Sequence, residues 1–149
     1  LYESILDDEE VLMSNSIKDS QNPLLLLHNL YKQYKSFEKI SDKDIRRVIT
    51  SMGLPNCKNL VIGKNNGFIR LYDQSITNIT KEPVVEIYIG YSHWTLNKKL
   101  TAIFIDLEEK KSIINKFFGG KKKYDEFCKK MWDWGFVQPN YWRFYYNLE

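Results

Sequence analysis

Apolar positions follow two different periods along this chain. Near its start Tyr2, Ile5, Leu6, Leu12 and Met13 recur at helical spacing, with polar Glu9 in one slot. A short amphipathic helix is therefore expected near residues 2–13, followed by a polar linker from Ser14 to Asn22. Asn22 then caps a second helix, with Pro23 at the first position, where a missing N–H costs nothing. The apolar face of that helix is Leu24, Leu27, Leu30, Tyr31, Tyr34 and Phe37. Ser41 caps a third helix with Asp44 three residues on, and Ile45, Val48, Ile49 and Met52 share one face. Gly53, ahead of Leu54-Pro55, ends it.

The period then shortens. Leu60–Gly63 and Phe68–Tyr72 flank Lys64-Asn65-Asn66-Gly67, a hairpin signature. A polar loop runs from Gln74 to Pro83. Val84–Tyr91 is the strongest strand, rich in β-branched and aromatic residues. Ala102–Ile105 also reads as a strand, but Leu100, Ile103, Phe104, Leu107, Ile114, Phe117 and Phe118 fit one helical stripe. The stripe predicts a single long helix over 97–118, ended by Gly119-Gly120. A further helix over Lys121–Trp134 uses Tyr124, Phe127, Cys128, Met131 and Trp134, with Trp132 off the stripe. Tyr141–Tyr146 alternates as a closing strand. The fold class is α+β in one domain, 1–149. It divides into an acidic helix and linker (1–22), a helix pair (23–55), a β-meander (58–92), and an aromatic, basic helical region with a final strand (97–147).

Composition changes this picture little. With 149 residues and 43% hydrophobic content, the chain buries roughly 68–70% of its unfolded surface and needs no staple. Cys57 and Cys128 form no CxxC unit or zinc pattern, so reduced core thiols in a cytoplasmic setting are expected, with no metal and no cofactor. The Leu24–Leu27 run is far short of a membrane span, and Asp7-Asp8-Glu9-Glu10 is unlike a secretory leader. No membrane partner is expected, and the Asn78-Ile79-Thr80 sequon reads as chance. The Lys-, Asn- and Ile-rich make-up resembles that of small phage, plasmid or interbacterial accessory proteins, and nothing transfers residue by residue from that likeness.

Charge and aromatic placement carry more. Residues 1–30 hold one lysine against six acids, whereas 31–97 and 98–149 are each net positive by four. Phe117–Glu149 holds twelve of the 22 aromatics, threaded with lysines. Rings interleaved with cations suit a stacking surface for bases beside a phosphate track. The nucleic-acid-binding candidates are therefore Lys121, Lys122, Lys123, Lys129, Lys130 and Arg143, with the rings Tyr124, Trp132, Tyr141 and Trp142. In the helix pair, Lys43, Arg46, Arg47 and Thr50 facing outward give a helix-turn-helix outline.

Catalytic motifs are missing. His28 and His93 lack a readable nucleophile or carboxylate partner. Glu86 sits in the strongest strand without the Glu-x-Lys pairing of a metal nuclease. Glu108-Glu109-Lys110 has that spacing, but falls within the expected long helix. Alternation groups Phe68, Arg70 and Tyr72, and pairs Glu86 with Tyr88, so Arg70 bridging Glu86 is the simple outcome. The resulting expectation is a non-enzymatic binding module that contacts nucleic acid. A protein-binding inhibitor of the immunity or anti-defence type is the first alternative. The second is an enzyme with a dispersed site, for which Glu86, His93 and Arg70 are the candidates.

Overall fold

The computed structural model describes residues 22–77, 82–94 and 99–148. The helix expected near 2–13, its linker up to residue 21 and the Asn78–Thr80 triplet lie outside the described residues. Two helices open the described chain, α1 (Leu24–Tyr34) and α2 (Asp42–Met52). The Asn22 side chain accepts the Leu24 N–H at 3.0 Å, and Ser41 Oγ accepts the Asp44 N–H at 3.2 Å, so both expected caps form. Lys35 turns left-handed and closes α1 at Tyr34, which drops Phe37 into the following loop. Phe37 is still fully buried, its ring 4.5 Å from that of Tyr31. Gly53 caps α2 as expected.

Arg46 does not face outward. Its Nη1 donates to the Cys57 and Leu60 carbonyls, each at 2.8 Å, and so ties the turn after α2 to the helix. The helix-turn-helix outline thus loses a central cation.

The strands are β1 (Val61–Lys64), β2 (Phe68–Tyr72), β3 (Val85–Trp94), β4 (Lys99–Leu107), β5 (Val137–Asn140) and β6 (Arg143–Asn147). They form one antiparallel sheet in the order β1-β2-β3-β4-β6-β5. The hairpin turn is fixed by Asn65, whose Oδ1 accepts the N–H groups of Gly67 and Phe68. The loop expected at 74–83 opens with a one-turn helix, α3 (Gln74–Thr77).

The long helix over 97–118 is not formed. Residues 99–107 are a central strand, and only Lys111–Phe118 is helical (α4). Ala102, Ile103, Phe104 and Ile105 are all buried in succession, Ile103 and Ile105 in the core beneath the helices and Phe104 on the opposite face under the side chains of Tyr88, Tyr145 and Arg143. An unbroken apolar run satisfies a helical stripe as readily as a strand, which is why periodicity misled. Strand β3 correspondingly runs past Tyr91 to Trp94, so His93 lies in a strand rather than a loop. Strand β5 was missed because it contains Pro139, which an edge strand tolerates.

Helix α5 (Lys121–Asp133) follows as expected. The main core lies between the helices and one face of the sheet. Ile69, Leu71, Val85, Ile87, Ile103, Ile105 and Phe144 meet Leu27, Ile45, Ile49, Phe117, Phe127 and Met131 there. Each such side chain contributes roughly 1.5–3 kcal/mol on burial. Cys57 and Cys128 are free, buried thiols, and burial pushes both thiol pKa values up. Among the described residues no helix is long and apolar enough to cross a membrane.

Candidate binding surfaces

Helix α5 begins at a double-glycine break. Gly119 and Gly120 hold φ of 84° and 129°, backbone that L side chains rarely adopt, and this lets the chain reverse between α4 and α5. No side chain caps α5, and lysines fill its first three positions, where cations oppose the helix dipole. Lys121 offsets part of this through an ion pair with Asp125 at 2.8 Å, and that carboxylate holds the Lys121 ammonium pKa above its usual value.

Along α5 the rings are tied together. The Tyr124 hydroxyl donates to the Tyr141 carbonyl and accepts from Gln138 Nε2 at 3.2 Å. Gln138 Oε1 in turn accepts the Trp132 indole N–H at 2.8 Å. The Tyr141 hydroxyl donates to the Glu109 carbonyl, and the Lys111 ammonium lies 4.8 Å from the Tyr141 ring centroid. Partial burial raises the Tyr124 phenol pKa, with Cys128 adding to the shift. Tyr141, Tyr124 and Trp132 therefore form one pinned ridge. Trp132 is 53% exposed and Tyr141 37%. Beside the ridge is a slot of about 180 Å³ with Ile114 and Tyr124 in its wall and Lys111 and Lys121 at its rim. Gln138 and Lys111 were not foreseen. Lys111 lies far from Tyr141 in sequence, and Gln138, six residues from Trp132, is hinted at only by an exposed indole N–H in need of an acceptor.

Of the remaining candidates, Lys122 and Lys129 are exposed on α5. Lys123 and Lys130 line a separate groove of about 340 Å³ against Gly53 and Pro55, with Lys130 5.1 Å from the Trp134 ring. Arg143 does not join them. It alternates with Phe144, whose ring packs 5.6 Å from Phe127 beneath α5, so Arg143 occupies the opposite sheet face. There its Nε and Nη2 donate to Asp106 at 2.8 and 2.9 Å, and Nη2 also reaches the Tyr88 hydroxyl at 3.1 Å. Its guanidinium lies 4.6 Å from the Trp142 ring centroid, so Trp142 goes with Arg143 rather than with the α5 ridge. Asp106 holds the Arg143 pKa above its ordinary value, while burial, then Asp106, raises that of Tyr88.

The enzyme candidates do not converge. Arg70 and Glu86 are register partners with an ion pair at 3.8 Å, as alternation implied. His93 is exposed, lies beyond a bulge in β3 and is roughly 20 Å along the strand from Glu86. Glu108–Lys110 falls in the β4–α4 turn rather than in a helix. Among the described residues no group of His, Cys, Asp and Glu could hold a metal ion. Comparison with family models, with curated proteins and with solved structures yields no match.

Proposed function

We propose that the protein is a non-enzymatic binding module that contacts nucleic acid along the α4–α5 surface. The observation that carries this reading is the pinned ridge of Tyr141, Tyr124 and Trp132 running beside Lys111 and Lys121. Residues 110–133 supply eight lysines against three carboxylates, so the surface around the ridge is strongly positive. Rings fixed by hydrogen bonds lose little freedom when a base stacks on them, and a phosphate at the uncapped start of α5 is attracted both by the lysines and by the helix dipole that those lysines oppose. Arg143 takes no part in this contact, because it lies on the opposite face of the sheet, and the Trp142 ring is engaged with Arg143.

The test is fluorescence anisotropy with labelled single-stranded and duplex oligonucleotides at low salt. K121Q/K122Q/K123Q is expected to fold normally, bind less tightly and show a flatter salt dependence. The slope should fall by about 0.7 to 0.9 log units for each phosphate that is no longer neutralised. W132A and Y141A should weaken single-strand binding more than duplex binding. Absence of binding to DNA and RNA at low salt overturns the reading.

A further inference from the structure

The sheet face turned away from the helices is uncovered among the described residues, and it is aromatic at its centre. Tyr88 stacks on Phe104 with centroids 5.2 Å apart and planes 2° from parallel, and Tyr145 lies 5.6 Å from Phe104 on the other side. Phe104 is only 7% exposed because these rings and Arg143 close over it. The flat faces of Tyr88 and Phe104 are thus spent on one another, and the Tyr88 hydroxyl is held by Asp106 and Arg143. Such a surface offers little to a stacking base, but it suits the side chains and main chain of a protein.

The charge on this face points the same way. At the Trp142 end is a groove of about 440 Å³ whose walls carry Glu82, Glu86, Glu108 and Glu109. Of the two arginines of the face, Arg143 is held by Asp106, while Arg70 lies over the Phe68 ring and pairs with Glu86 at 3.8 Å. Phosphates would meet an excess of carboxylates here, whereas a cationic side chain would meet both carboxylates and an indole ring. We propose that this open face docks a protein partner through a basic segment, with arginine or lysine side chains entering the groove beside Trp142. The Tyr141 hydroxyl bonds the Glu109 carbonyl and so joins the rim of this groove to the α5 ridge, and the two sites are told apart by the probe each takes and by the indole that responds, Trp142 here and Trp132 on the ridge.

The test is NMR titration of the full chain with a ten-residue peptide alternating Arg and Val, against a matched peptide alternating Glu and Val. The basic peptide is expected to shift the Trp142 indole and the Tyr145 signals and to leave the Trp132 indole in place. E108K/E109K, in an exposed turn, should weaken that binding at least tenfold, with E82K as a second variant on the same groove. K121Q/K122Q/K123Q should leave it unchanged. The proposal is overturned if the basic peptide produces no shifts up to millimolar concentration, or shifts Trp132 instead. It is equally overturned if oligo(dT) shifts Trp142, or if E108K/E109K abolishes a concentration-dependent self-association, which would make the occupant a second copy of this chain.

Discussion

Two tryptophans two residues apart have opposite fates. Trp134 is 9% exposed and joins the core, while Trp132 is 53% exposed and held by Gln138. W134A is expected to cost about 3–5 kcal/mol in urea unfolding, and W132A no more than about 1 kcal/mol. Equal losses would show that the α5 face is misassigned. Asp106 is the second residue on which much rests, since it accepts from both Arg143 and Tyr88. D106N should cost about 2 kcal/mol, below the value for a fully buried pair because the Arg143 side chain is 34% exposed. The Tyr88 and Tyr124 phenols also set a pH dependence. Both pKa values are raised in the folded protein above the ordinary value of 10.0. Above about pH 10 the unfolded chain gives up these protons while the folded chain keeps them, so stability falls as pH rises. Urea midpoints at pH 8 to 11 should show this decline, and Y88F should make it shallower.

Among the elements, β4 and β5 are the extremes. Strand β4 is central, pairs with β3 over most of its length and with β6 on its other side, and carries four consecutive buried residues. Strand β5 is a four-residue edge with Pro139 and an irregular register against β6. Amide hydrogen exchange is expected to be slowest in β3 and β4 and fast in β5, the ordering that burial and ladder position impose. A β5 protected as strongly as β4 would contradict this sheet order. At the start of α5, replacing Lys121, Lys122 and Lys123 by Gln removes charges that oppose the dipole, but it also removes the Lys121–Asp125 pair. These effects offset, so the thermal midpoint should move by no more than a few degrees in the same variant that tests binding.

For the molecule as a whole, the sheet acts as a partition. Helices and core lie on one side, and the Tyr88–Phe104–Tyr145 row and the carboxylate groove lie on the other. Variants on the two faces are far enough apart to act separately, so the stability effects of W132A and E82K should add within about 0.5 kcal/mol in a combined variant.

The local events were legible in the sequence because their causes are local. Asn22 and Ser41 cap helices through side chains two and three residues from their targets, Asn65 folds the hairpin turn, and Gly53 ends a helix. The α+β class, the Phe68–Arg70–Tyr72 alternation and the burial of Trp134 against the exposure of Trp132 follow from such short-range rules. The identity of 99–107 was not legible, because burial on both faces erases the period that separates strand from helix, and burial on both faces is a tertiary fact. Strand β5 stayed hidden for a related reason, since only its edge position accommodates Pro139. The candidate site divided in the same way. The crowding of lysines and rings into the last quarter of the chain is written in the order of its residues. Which of them meet is set by the fold, because adjacent residues in a strand point to opposite faces: Phe144 faces the core beneath α5, and Arg143 faces away, to Asp106 on the far side of the sheet.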